Sequence, residues 1–398
     1  MIYRKFGKTG LSIPVMSCGG MRYQFGWQDS PLKDIPQKNQ DNLEATIHRA
    51  LELGINHIET ARGYGSSERQ LGMVLPTIPR NDLIVQTKVV PKENPDEFIA
   101  DFRDSLERLK LDYVDLLAIH GINHEPTLQW SIRPGGCLEA ARKLQQEGLV
   151  RHIGFSTHGP TDIIVRAIQH EGDSGFDYFN LHWYYINQLN WPAIQEANKR
   201  DMGVFIISPT DKGGMLFDPP EKLSQLTAPL HPIVFNDLFC LANNLVHTIS
   251  IGASCPGDFD LHVETLPLLE NAQQNLKPIL NRLQSAMVEG VGEQLIDPFG
   301  LNLPEWNDCP DQVNIRIIVW LWTLAKAFDM VEYGKKRYSL MGNADHWFPG
   351  QKLKDVDEVA WEKISQECGL NGKLIDILHE SKDLFGGEEA KRLSQSSD

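Results

Sequence analysis

The sequence predicts an α/β fold, a (β/α)8 barrel carrying an N-terminal β-hairpin and a mostly helical C-terminal extension. Short β-branched runs alternate with longer amphipathic segments through about Leu269, and eight such units point to a closed barrel of parallel strands. An open doubly wound sheet would announce itself with G-x-G-x-x-G after its first strand, whereas Ser17-Cys18-Gly19-Gly20-Met21-Arg22 stands there. The 398 residues exceed one barrel of roughly 250, which leaves room for a smaller appendage.

Taken in order, Tyr3 to Pro14 alternates and turns at Gly7-Lys8-Thr9-Gly10, the pattern of a short hairpin. Val15 to Ser17 then precede a helix around Asn42 to Leu53, and Ile55 to Ile58 precede one around Ser67 to Leu75. Leu83 to Thr87 lead to Pro95 to Leu109, and Tyr113 to Ile119 to Leu138 to Glu147. Val150 to Phe155 lead to Asp162 to His170, and Tyr178 to Leu181 to Trp191 to Lys199. Val204 to Ile207 run into a long loop, and His247 to Ile251 form the last apolar run. Two loops, Met21 to Lys38 and Pro209 to Pro232, are long enough to suggest function, and both follow strands, which in a barrel puts them on the catalytic face.

Past Leu269 the pattern changes to helices, with candidates at Asn271 to Glu289, Gln312 to Ala327 and Leu374 to Leu384. The boundaries are therefore 1–271 for the barrel and 272–398 for the extension. An aromatic, Gly/Pro-rich connection spans Asn343 to Gly350, and the polar stretch Ala390 to Asp398 reads as a disordered tail.

A net charge of -15 argues against nucleic acid as a partner, since phosphate backbones are held by clustered Lys and Arg. No run of about 20 apolar residues could cross a bilayer, and Met1-Ile2-Tyr3-Arg4-Lys5 does not open a signal peptide, so the expected location is the cytoplasm. The six cysteines include no C-x-x-C pair, so no metal site is expected.

Glu59 follows the second strand, Lys88 the third and His120 the fourth, with Tyr64 five residues beyond Glu59. Singly, a strand-end Lys is commonly a solvated charge, a His a satisfied core residue and Tyr-Gly a turn. Strand ends converge around one mouth in a barrel, however, so four such groups in register mark a site.

These residues belong to strings that resemble the aldo-keto reductases across roughly Met1 to Asn271. The strings are Tyr3-Arg4-Lys5-Phe6-Gly7-Lys8-Thr9-Gly10-Leu11, Gly54 to Gly65, Ser67-Glu68-Arg69-Gln70-Leu71-Gly72, Thr87-Lys88, Asp115 to His120 and Gly148 to Ser156. The resemblance implies NAD(P)H-dependent reduction of a small-molecule aldehyde or ketone. It makes Tyr64 the general acid, Lys88 the cation that eases loss of its proton, and His120 the donor to the substrate oxygen. The family's carboxylate is Asp; here it is Glu59, one methylene longer, which could displace the lysine. An alternative role is a catalytically drifted barrel that binds or assembles.

The same resemblance places cofactor contacts at Gly20, Met21, Ser156, Thr157, Asn180, Ser208 and Ser254. The family stacks a Tyr under the nicotinamide, where Ile207 stands here, and clamps the adenosine 2'-phosphate with Lys and Arg after the eighth strand. No Lys or Arg occurs between Lys222 and Lys277, and Asp258 and Asp260 would repel a phosphate. NADPH is the family's cofactor; NADH, weak NADPH binding aided by Lys212, and no binding all stay open. Tyr23, Phe25 and Trp27, with Trp183 and Phe217, are candidates for an aromatic substrate pocket.

Cys309-Pro310-Asp311-Gln312 resembles the end of a ferredoxin-like segment found behind some members of the family. There several cysteines hold an iron-sulfur cluster, which needs four thiolates. Cys309 alone remains, and no cysteine lies between Cys255 and it, so no iron-sulfur cluster is expected. The helical scaffold could then serve as a docking surface for a protein partner or as a lid across the barrel mouth.

Overall fold

The computed structural model describes residues 1–211, 214–342, 348–356 and 358–387. Lys212, part of the Asn343 to Gly350 connection and the Ala390 to Asp398 tail lie outside the described residues. The hairpin is β1 (Tyr3–Lys5) and β2 (Ser12–Pro14), paired antiparallel. The β-branched runs become β3 (Met16–Gly19), β4 (His57–Glu59), β5 (Ile84–Val89), β6 (Val114–His120), β7 (Val150–Ser156), β8 (Tyr178–Leu181), β9 (Gly203–Ile206) and β10 (Thr248–Ile251). All pair in parallel and close in the order β10-β3-β4-β5-β6-β7-β8-β9, the predicted (β/α)8 TIM barrel.

Between the strands run α1 (Gln37–Glu52), α2 (Ser67–Val74), α3 (Pro95–Leu109), α4 (Glu125–Ile132), α5 (Cys137–Gln146), α6 (Thr161–Gln169) and α7 (Trp191–Asn198). They are followed by α8 (Glu221–Thr227), α9 (Pro232–Leu241) and α10 (Asp258–Val263). The third helix shows why such segments fold locally. Asn94 caps it by accepting from Asp96 N at 3.1 Å, Pro95 supplies a preset first turn, and Phe98, Phe102 and Leu109 form the buried stripe. Each of those side chains contributes roughly 1.5–3 kcal/mol of burial. Two of the helices that escape the sequence reading show why they do. α4 lacks a clear apolar stripe and is announced only by its His124 cap, while α9 is apolar almost throughout and has no period to read.

Strand residues alternate between the lumen and the helix layer. At the N-terminal end of the barrel, Phe6 and Ile13 of the hairpin form a cluster with Ile84, Leu116, Ala118, Tyr178 and Phe205, which closes the lumen from below. The larger core lies between the outward strand faces and the helices, from Val15 and Leu43 round to Ile249 and Phe259.

Among the described residues the chain divides into two compact units, one of Met1–Gly214 with Ile233–Ala272, the other of Met215–Pro232 with residues 273–387. The loop expected over Pro209 to Pro232 is thus split, and its second part carries α8. In the second unit, Arg282 Nε donates to Leu226 O at 2.9 Å, which ties this segment to α11 (Ala272–Val291). The unit continues with α12 (Ile315–Phe328), α13 (Val331–Ser339), α14 (Glu358–Glu367) and α15 (Lys373–Phe385). α12 is buried on nearly every face, as expected of a central helix. Among the described residues, no helix is long and apolar enough to cross a membrane.

Candidate active site

Parity within the strands sets which side chains enter the barrel mouth. Ile84, Leu116 and Tyr178 face the lumen at its base, so the residues four on from the first two, Lys88 and His120, and two on from the third, Asn180, face it higher up. Register completes the ring: Glu59 lies opposite Gln86, His120 opposite Ser156, and Ser156 opposite Asn180. Tyr64 enters from the turn after β4, where its amide bonds Ala61 O and its carbonyl accepts from Ser67 N at the start of α2.

Lys88 is 1% exposed and bonds Glu59 Oε2 directly. Its ammonium also donates to Thr60 O at 2.8 Å and to the Tyr64 hydroxyl at 3.3 Å. Burial works against the charge on Lys88, but Glu59 and Tyr64 outweigh it and its pKa is raised, so the ammonium persists. Burial raises the Tyr64 phenol above its ordinary value, with Lys88 pulling it back, so the hydroxyl keeps its proton through the neutral range. The His120 ring stands edge-on to Tyr64, centroids 5.7 Å apart.

The longer carboxylate fits because its neighbours are small. A Cβ on Gly19 would lie 3.1 Å from Glu59 Oε1, 2.6 Å from Ser250 Oγ and 2.9 Å from the Ile251 carbonyl. Ser250, on β10, donates to Glu59 Oε1 at 3.3 Å. Glu59 is therefore held between Ser250 and Lys88, and the displacement that its length suggested does not occur. Neither Gly19 nor Ser250 carries a sequence signal of this role; it depends on strands adjacent only after closure.

The cofactor candidates differ in what they have to offer. Asn180 is fully buried, and neither atom of its amide has a hydrogen-bond partner among the described residues. A group with complementary donor and acceptor atoms, such as a nicotinamide carboxamide, fits that unspent pair. Ser156 Oγ accepts from Gly121 N at 3.2 Å and keeps its proton to donate. Thr157 instead donates to Ile122 O at 2.8 Å and accepts from Gly159 N, which binds its own loop. Gly20 is buried with its amide on Glu59 O at 2.8 Å, and Met21 follows it, half-buried. Ser208, half-buried, adopts a left-handed backbone and accepts from Asp211 N. Ser254 donates its hydroxyl to Asp258.

The aromatic pocket is corrected in part. Tyr23 is fully buried in the main core, and Trp183 is 5% exposed and stacks on Phe239 at 5.2 Å, so both serve packing rather than an open pocket.

A model of the aldo/keto reductase family matches residues 15–222. The chain belongs to this family. It is 33% identical over 231 residues to L-galactose dehydrogenase of Arabidopsis thaliana, covering 55% of this chain and 68% of that protein. It is 32% identical over 149 residues to methylglyoxal reductase of Escherichia coli O157:H7, covering 37% and 48%. An aldo-keto reductase from Bacillus halodurans, solved in its holo form, superposes on 70% of this chain and 96% of its own with a TM-score of 0.57 at 23% identity, a likeness of fold. As a member of the family this aldo/keto reductase is an oxidoreductase.

Proposed function

We propose that the chain reduces an aldehyde or ketone to the alcohol using a nicotinamide cofactor, with Tyr64 as the general acid. The observation that carries this reading is the Lys88 ammonium 3.3 Å from the Tyr64 hydroxyl, on a lysine that is itself bonded to Glu59. The chemistry that a bound nicotinamide supplies is the hydride. Asn180 and Ser156 would hold its carboxamide, and Tyr64 and His120 would hydrogen-bond the substrate carbonyl oxygen. As negative charge develops on that oxygen, Tyr64 delivers its proton and Lys88 stabilises the phenolate left behind. Protonation of the oxygen completes the alcohol.

A binding-only barrel drew its support from Glu59, from Ile207 in place of the family's stacking Tyr, and from the acidic loop after β10. The closed Glu59–Lys88 pair favours the enzyme. The extension enters this reading as a cluster-free scaffold open to a protein partner. Cys309 donates to Glu305 O at 3.3 Å, and burial pushes its thiol up to about 11.

The test pairs cofactor titration with Tyr64→Phe. The variant should lose about 10²- to 10⁴-fold in kcat while binding the cofactor as before. Unchanged turnover would reject Tyr64 as the acid, and failure of both NADH and NADPH to bind would reject the reductase reading itself.

A further inference from the structure

The loop after β10 has no Lys or Arg of its own, yet the folded chain places a cation in it. Arg22, from the loop after β3, is 5% exposed. Its guanidinium donates to the Gly252 carbonyl, to Ser254 Oγ at 3.3 Å and to Asp258 Oδ2 at 3.2 Å. Ser254 adds two donors to that same Asp258 oxygen, its amide at 2.7 Å and its hydroxyl at 2.8 Å. On its other side Arg22 lies against Gly214, which has φ +80°; a Cβ there would sit 2.6 Å from the guanidinium carbon. The cation is thus laced to the loops after β3, β9 and β10.

Barrels commonly bind phosphate at the loops following their last two strands, using converging amides and cations. Here a convergent set of donors exists, but the chain's own carboxylate takes it. Asp260, the second acid of the loop, pairs with Arg49 at 3.0 Å. A phosphate dianion entering this loop would have to strip Asp258 from Arg22 and Ser254 and leave a carboxylate beside itself. A pair of neutral hydroxyls meets no such opposition. Among the described residues, Oδ1 of Asp258 receives only a long contact of 3.5 Å from Cys255 Sγ, and an ionised carboxylate accepts about four hydrogen bonds. A carboxylate that reads the ribose hydroxyls is also how dinucleotide folds select the unphosphorylated cofactor.

We propose that Asp258, fixed by Arg22 and Ser254, selects a nicotinamide cofactor with a free adenosine ribose diol, NADH, over its 2'-phosphorylated counterpart. The proposal rests on the reductase reading above. Equilibrium titration of the full chain with NADH and NADPH, read by quenching of tryptophan fluorescence, tests it. The wild type should bind NADH about tenfold more tightly or better. Asp258→Asn, which keeps the shape of the side chain, and Asp258→Ser should both narrow that ratio by improving NADPH affinity, as Arg22 is released from its internal partner. Tighter NADPH binding by the wild type overturns the proposal while leaving the reductase reading intact, and so does an unchanged ratio in folded variants. Should both variants fail to fold, the wild-type ratio decides alone. Absence of binding by either cofactor sinks both readings together.

Discussion

At the N-terminal end of the barrel, Asp115 on β6 accepts from Val85 N at 2.8 Å and from Arg80 and Arg151 at 2.6 and 2.9 Å. Asp177, just before β8, repeats the arrangement with Ile153 N at 2.8 Å and Arg142 at 3.4 Å. At the C-terminal end, Glu59 and Lys88 are committed to each other, but Lys88 also faces Tyr64, and Asn180 keeps its amide unspent. The acids at the lower end tie one strand to the next and saturate their oxygens on backbone amides and arginines. The polar groups at the upper end face the lumen, and the Asn180 amide there has no partner among the described residues. On the proposed reading, one barrel uses buried charge for stability at one mouth and for chemistry at the other, the division expected of this architecture.

The sharpest way to break that division is to exchange the effects. Lys88→Met leaves Glu59 buried without its cation, so it should cost about 3–5 kcal/mol of stability and abolish turnover together. Asp115→Ala should cost about 2–3 kcal/mol, from lost charge-assisted hydrogen bonds and the amide of Val85 left without its acceptor, while kcat stays at the wild-type value. Urea unfolding alongside steady-state kinetics reads both. A large fall in kcat for folded Asp115→Ala would erase the contrast between the two ends.

Most of this was legible in the sequence because it is periodic or local. The ends of the β-branched runs are local, and they put Glu59, Lys88 and His120 at or near the strand ends where the structure holds them. The hairpin and the eight strands were visible in alternation and turn residues. What escaped depends on neighbours made only by closure. Ser250 meets Glu59 across 191 residues of chain, and Arg22 meets Asp258 across 236. Reading the loop after β10 alone as an unpaired acidic stretch missed that both its aspartates have arginine partners, one from the loop after β3 and the other from α1. The extension was harder still. The polar, Gly-containing α13 shows no clear apolar stripe, and α14 is short.

A smaller substitution sharpens the upper end. Gly19→Ala forces a methyl against Ser250 and the Ile251 carbonyl, an overpacking cost of about 1–3 kcal/mol. Because the same methyl crowds Glu59 Oε1, kcat should fall further than stability alone explains. A variant that loses stability but retains full kcat would show that the Glu59–Lys88 geometry tolerates displacement and would detach Gly19 from the site.

The finest test lies between the two ends, at His57, which sits two residues before Glu59 and is fully buried. Its Nδ1 bonds Ser17 Oγ at 2.6 Å, and Ser17 Oγ in turn meets Thr248 Oγ1 at 2.7 Å. Burial, aided by the nearby Lys88 charge, lowers its pKa from 6.5 to about 3, so the folded protein carries it neutral. In the unfolded chain the imidazole binds a proton below about pH 6.5, and in the folded chain only near pH 3. The unfolded state therefore holds one more proton through that window, and stability that is fully present above pH 6.5 drains away as the pH falls. Each unit of pH between those limits should cost about 1.4 kcal/mol from this group. His57→Gln removes the titration and should flatten the acid limb of stability against pH by that slope, measured by urea unfolding from pH 7.5 to 4.5. Parallel profiles for the two proteins would mean that His57 takes up its proton without unfolding, and that the lumen below the active site is wet enough to hold a charge.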